Sequence, residues 1–187
     1  MRVIAGKARG TRLAAPPGMR TRPTADRVRE ALFSIIQSRF TLEGARVLDI
    51  CAGTGSMGIE ALSREAESCA FIEHDRNVAA VLKRNLTATH FSEQSQVLEM
   101  DVHKALRHLA GRKASYDLVF FDPPYASGLY ATVPEALCSL SLLADGGVLV
   151  AEGAARNTLP EHLGPLAKYE RRVYGDTALE FYLLEGE

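Results

Sequence analysis

Residues 122–125 read Asp-Pro-Pro-Tyr, and they follow at once on the apolar run "YDLVFF" at 116–121, which has the length of one buried strand. These residue types suit the methylation of an exocyclic amine on a nucleobase. Such an amine has its lone pair delocalised into the ring, so attack on a methyl group needs an acceptor for each N–H to turn that pair outward. The Asp122 carboxylate and the Pro123 carbonyl can be those acceptors. Proline has no N–H of its own, and it holds the residue before it extended, so the carbonyls stay aimed. Tyr125 can stack on the base, worth about 1–3 kcal/mol in single-strand binders, which helps offset the few kcal/mol of extruding a nucleotide. A guanine N2 amine and an adenine N6 amine could both use these acceptors. The absence of a Pro-Cys dipeptide argues against cysteine attack on a pyrimidine ring carbon.

Upstream, "LDICAGTGSMGIEA" contains Gly53-x-Gly55-x-x-Gly58 before a helical segment, with Glu73 about 20 residues on at the end of the next strand. This spacing satisfies the dinucleotide fingerprint, in which glycines let a pyrophosphate approach a helix N-terminus. Asp49, beside that turn, would repel a pyrophosphate and attract a cation. S-adenosylmethionine has an ammonium, a sulfonium and no phosphate, so it fits better than a nicotinamide dinucleotide. Glu73 can accept hydrogen bonds from ribose hydroxyls in either case. Asp101, after the third strand, either holds an adenine amino group or caps the following helix. The sulfonium is already an activated donor, so no metal or covalent nucleophile is required and in-line positioning supplies most of the rate.

The elements that must position these residues alternate. Strands are predicted at "RVLDI" (46–50), "SCAFIE" (68–73), "SQVLEM" (95–100), "YDLVFF" and "GVLVAE" (147–152), with helices near 56–65, 77–88, 103–110 and 129–143. That rhythm predicts a parallel sheet wrapped by helices, with ligands at the carboxyl edge of the strands. The last 20 residues break it: two strand-like runs flank Gly175-Asp176, so the sheet should end in an antiparallel hairpin.

The chain has 187 residues, 47% hydrophobic and 24% charged, with a formal net charge of −1. A single packed core is expected, burying roughly 70% of the unfolded surface. No apolar run nears a membrane span and the start lacks a signal-peptide pattern, so a cytoplasmic protein is expected. Cys51, Cys69 and Cys138 show no metal-ligand spacing and read as small buried hydrophobes.

The charge is unevenly placed. Residues 1–40 hold nine Lys/Arg against Asp26 and Glu30, a balance of +7, and the remainder carries −8. A basic arm on an acidic body points to a polyanion partner, or to a solvated tail. Within the arm, "RVIAGKARGTRLAAP" predicts a short hairpin. "RPTADRVREALFSII" predicts a helix capped by Thr24, with Val28, Ala31, Leu32, Ile35 and Ile36 inward and Arg22, Arg27 and Arg29 near solvent. Read for charge alone, the arm would also suit a non-enzymatic RNA-binding module.

"RVIAGKARGTRL", "RPTADRVREALFSII", "VLDICAGTGSMGIEAL", "FIEHD" and "FDPPY" together closely resemble the bacterial family that methylates the N2 amine of a guanine in 16S ribosomal RNA. The likeness covers nearly the whole chain and is looser beyond "DPPY". It implies an α/β Rossmann-like class I methyltransferase: a mostly parallel seven-stranded sheet ending in an antiparallel hairpin. Residues 1–40 would form a hairpin-and-helix extension packed on a catalytic domain at 41–187. It implies S-adenosylmethionine held by Asp49, Ala52, Gly53, Gly55, Glu73, His74, Asp101 and Val102, and a catalytic loop of Asp122, Pro123, Pro124 and Tyr125. Arg20, Arg22, Thr24, Arg27 and Arg29 match its basic, RNA-contacting segment. The partner implied is small-subunit ribosomal RNA, free or within the assembled subunit, with the protein acting as a monomer without metal or membrane.

Overall fold

The computed structural model describes residues 1–16, 23–124 and 128–184, residues 23–25 by backbone alone. The alternation read from the sequence becomes helix α1 (Pro23–Arg39), then β1 (Arg46–Ile50), α2 (Ser56–Ser63), β2 (Ser68–Ile72), α3 (Arg76–Thr89), β3 (Ser95–Leu98), α4 (Val102–Gly111), β4 (Tyr116–Phe121), α5 (Leu129–Ser139) and β5 (Leu143–Ala154). The chain closes with β6 (His162–Leu163), β7 (Leu166–Tyr174) and β8 (Thr177–Leu184). The sheet order is β3-β2-β1-β4-β5-β8-β7-β6. β3 through β5 pair in parallel, whereas β8, β7 and β6 run antiparallel, with β7 and β8 joined across the expected Gly175-Asp176 turn. This is the mostly parallel sheet closed by an antiparallel hairpin that the resemblance implied. Among the described residues it has eight strands rather than seven, because the two residues of β6 add a short edge that carries too little pattern to read. The expected helix at 129–143 stops at Ser139, and Leu143 already begins β5.

Side chains alternate across a strand, so each parallel strand feeds two cores. Val47, Phe71, Phe120 and Val150 pack with α1, α2 and α3 on one face. Leu48, Ile72, Phe121 and Ala151 pack with α4 and α5 on the other. Both faces are covered, which is why these strands read as nearly continuous apolar runs.

The amino-terminal segment folds back as a hairpin-like loop with a single bridge between Arg2 and Arg12, and Val3 and Leu13 enter the first core. Gly6 at its bend has φ +80, and a Cβ there would lie 1.7 Å from the Ser63 carbonyl oxygen, so only glycine fits. α1 buries Val28, Leu32, Phe33 and Ile36, while Ala31 and Ile35 are half-buried. No helix among the described residues is long and apolar enough to cross a membrane.

Candidate active site

The site lies along the carboxyl edge of the parallel strands, where successive strand ends are tied together. The Ala52 N–H donates to the Ile72 carbonyl at 3.0 Å, and the Glu73 N–H to the Leu98 carbonyl at 3.1 Å. Asp122, just past β4, directs its N–H toward the Ile50 carbonyl at 3.5 Å, so the Asp-Pro-Pro segment begins beside the glycine turn.

That turn is shaped by close contact. Gly55 precedes α2 with φ +79, and a Cβ there would sit 2.1 Å from Leu82 Cδ1. Gly58, inside α2, faces the Phe71 ring, which a Cβ would meet at 2.3 Å. The third glycine thus lets the helix lie close on β2. Cys51 takes the left-handed conformation, φ 60, at the start of the turn. It is half-buried, as is Cys138, whereas Cys69 is buried as expected.

The acids are held by this backbone. The Gly58 N–H donates to Asp49 Oδ2 at 2.9 Å. Glu73 accepts the Gly53 N–H at 3.0 Å on one oxygen and the Asp75 N–H at 2.8 Å on the other. Each oxygen keeps a lone pair for a further donor. Asp49 and Glu73 are both buried. His74 points to solvent with Nδ1 3.4 Å from Glu73. Asp101 caps α4 through the N–H groups of His103 and Lys104, the helix-capping alternative of its two readings, and Val102 is buried in the second core. Pro123 is buried and Pro124 exposed; Tyr125 lies outside the described residues.

Like charges crowd this edge. Burial pushes the Asp49 carboxyl up to about 8, helped by Asp122 and Glu73, against the pull of the Gly58 N–H. Asp122 is open to solvent on one side and crowded by protein on the other, and the partial desolvation raises its carboxyl to about 6. A cationic ligand would be drawn here, and an anionic pyrophosphate opposed. A cavity of about 360 Å³ lies at the opposite, amino end of the sheet, lined by Phe40, Leu42, Asp117 and Asp145 among others, away from these groups.

The sequence matches the family described as Conserved hypothetical protein 95 over residues 1–183. It is 36% identical to YlbH of Bacillus subtilis (strain 168), with both chains covered entirely. It is 34% identical to Ribosomal RNA small subunit methyltransferase D of Escherichia coli (strain K12), covering 100% of this chain and 91% of that one. The chain belongs to this methyltransferase family. Its fold also superposes on the solved structure of Escherichia coli yhhF with a TM-score of 0.83 at 31% identity, covering 100% and 99% of the two chains.

In this methyltransferase the basic arm divides in two. Arg20 and Arg22 lie outside the described residues, as does the side chain of Thr24, and Arg27 is exposed. Arg29 was expected near solvent and is instead only 2% exposed. It donates to the Arg2 carbonyl at 2.5 Å and to Asp26 at 3.2 Å, and its Nε lies 3.7 Å from Glu60. The apolar stripe of α1 is wider than its helical period indicated, and Arg29, one residue past Val28 and four before Phe33, falls inside it.

Two residues that no sequence motif marks join the arm to the site. Glu60 on α2 accepts the Ile4 and Ala5 N–H groups at 2.8 and 3.0 Å and pairs with Arg64. Asn85 on α3 exchanges hydrogen bonds with the Ala14 backbone and donates to the Thr54 carbonyl in the glycine turn at 3.0 Å. Nothing in their local sequence distinguishes them from any polar residue on an amphipathic helix.

The raised carboxyls have a pH consequence. With a folded pKa near 8 and an ordinary unfolded value near 4, the folded protein holds more protons than the unfolded chain between those limits. The contribution of Asp49 to the stability of the cofactor-free protein is therefore lost as pH rises from about 4 to 8. Asp49→Asn, which keeps an acceptor for Gly58, should lose less melting temperature between pH 5 and pH 8 than wild type. Identical losses would show that Asp49 does not titrate in that window.

Proposed function

We propose that this methyltransferase transfers the methyl group of S-adenosylmethionine to the N2 amine of a guanine in small-subunit ribosomal RNA. The observation that carries the reading is the placement of Asp122 and Pro123 at the end of β4, next to the glycine turn that follows β1. Sheet order reverses between β1 and β4, which is where open α/β sheets bind ligands. The cofactor belongs on the β1–β2 side, with the glycine turn and Asp49 near its charged end and Glu73 near the ribose. The target base belongs on the β4 side.

Bound S-adenosylmethionine would supply an activated methyl group, whose transfer to the N2 lone pair would leave the carbon–sulfur electron pair on a neutral thioether. The Asp122 carboxylate and the Pro123 carbonyl hold the two N–H groups so that the lone pair faces the methyl carbon. The methylated nitrogen, briefly cationic, then gives a proton to Asp122 or to water. Orientation and preorganised acceptors supply the rate. Residues 1–40 form the RNA-contacting extension of a catalytic domain at 41–187, and a ribosomal substrate places the protein in the cytoplasm.

The direct test is incubation with labelled S-adenosylmethionine and either small-subunit RNA or assembled small subunits, followed by mapping of the modified base. A methyl group on adenine N6, or none at all, would overturn the reading.

With Arg29 buried, Arg20, Arg22 and Arg27 remain as phosphate contacts. Replacing these three by glutamine should flatten the plot of log affinity against log salt by about 0.7 per lost contact. Base specificity should persist, because phosphate contacts carry no direct sequence information. An unchanged slope would remove the three from the RNA interface.

A further inference from the structure

The five parallel strands share a feature that the proposed chemistry uses only in part: each carries an acid within three residues of its carboxyl end. In sheet order these are Asp101, Glu73, Asp49, Asp122 and Glu152. The first three fall on the cofactor side of the switch between β1 and β4. Glu152 falls on the other side, with Asp122.

The register fixes how these two are related. Phe121 pairs with Ala151 across β4 and β5, so Asp122 and Glu152 are the next neighbours in line. Phe120 and Val150 both pack on the α1–α3 face, and Glu152, two residues further along β5, returns to that face. Asp122, one residue past β4, extends the line of its strand, with its N–H directed toward the Ile50 carbonyl at 3.5 Å. Asp49 and Glu73, two beyond Val47 and Phe71, follow the same rule. Glu152 is half-buried, and its carboxylate has no cation or hydrogen-bond donor among the described residues. Its backbone is engaged: it pairs with Leu179 across β5 and β8, and its carbonyl accepts the Tyr130 hydroxyl at 2.6 Å. Tyr130 in turn packs edge-on against Phe121, with ring centroids 5.2 Å apart. The strand end is thus held rigidly while the carboxylate is left for something else.

We propose that Glu152 determines base specificity by accepting the N1–H of the target guanine while Asp122 and the Pro123 carbonyl hold its N2 amine. This inference rests on the guanine-N2 reading above and names the residue that would enforce it. Guanine presents N1–H and one N2–H side by side on its Watson–Crick edge, and two carboxylates from adjacent strands match that pair. Adenine presents a bare N1, an acceptor, in the corresponding place. An ionised Glu152 would face it lone pair to lone pair. Burial and the neighbouring Asp122 push the Glu152 carboxyl up to about 7, so two parallel N–H donors would relieve the crowding of the two carboxyls.

The test uses 2-aminopurine, which keeps the exocyclic N2 amine but lacks the N1 proton. Once the methylated guanine has been mapped with wild-type protein, that nucleotide is replaced by 2-aminopurine in the same RNA or reconstituted subunit. Single-turnover rates are then compared at pH 8.5, where both carboxylates are ionised. Wild type should favour guanine by roughly 10- to 100-fold, the range for one well-formed base contact. Glu152→Gln, whose amide can donate to a bare N1, should lower the guanine rate and bring the ratio down at least about tenfold by the same reasoning. Glu152→Ala, which only removes the acceptor, should also lose the preference and serves if the glutamine variant does not fold. A ratio unchanged in a folded variant, or both rates reduced equally, would overturn the assignment while leaving guanine-N2 methylation intact. A wild-type product on adenine would overturn both readings at once.

Discussion

Replacing Asp122 with alanine is expected to slow single-turnover methyl transfer by roughly two to four orders of magnitude, the effect of losing a preorganised acceptor in the transition state. Affinity for S-adenosylmethionine should change little. Asp122 lies past the end of β4, while the glycine turn and Glu73 belong to the strand ends on its other side, so the variant keeps the proposed cofactor pocket. Asp122→Asn keeps one acceptor oxygen and should fall between alanine and wild type. That ordering separates acceptor chemistry from simple loss of charge. Calorimetry with the cofactor and rapid-quench measurement of labelled RNA give the two quantities independently. Near-native transfer by the alanine variant would remove Asp122 from the mechanism; a collapse of cofactor affinity would move it into the cofactor pocket instead.

Arg29→Ala should destabilise the fold by about 3 kcal/mol, near the lower end for breaking a buried ion pair. The lower end applies because Glu60 keeps its bonds to Ile4, Ala5 and Arg64. Desolvation lowers the Arg29 pKa, opposed chiefly by Glu60 and then by Asp26, as expected of a cation taken from water and given partners. For a chain of this size the loss corresponds to roughly 6–12 °C in melting temperature. The slope of RNA affinity against salt should stay as in wild type, since a buried guanidinium releases no counterion from a phosphate. Thermal unfolding and a salt series on the same preparation check both halves. A lowered slope at unchanged melting temperature would return Arg29 to the RNA surface.

Arg29 shows where sequence reading reaches its limit. The inward face of α1 was legible because Val28, Leu32 and Ile36 recur at the helical period. An arginine beside that stripe looks the same in sequence whether it turns toward water or toward a buried glutamate 31 positions away. Glu60 itself lies on α2, and the meeting of the two depends on how the amino-terminal hairpin packs over that helix. Asp101 is a parallel case. Its sequence context suited both a helix cap and an adenine contact, and only the backbone of His103 and Lys104 shows that the cap is made.

What the sequence by itself determined is local in origin: the strand and helix alternation, the closing hairpin, the glycine turn before α2, and the acids at the strand ends. Periodicity, turn chemistry and the missing Cβ of glycine act over a few residues, so they are written in consecutive letters. The tertiary structure decided which of those ends stand side by side. The order β3-β2-β1-β4-β5 sets Asp49 beside Glu73 on one hand and Asp122 beside Glu152 on the other, and the packing of α3 joins Asn85 to both the arm and the glycine turn. Those neighbours are separated by 24 to 71 residues along the chain. No local pattern encodes their meeting, because it follows from the packing of whole elements around two cores.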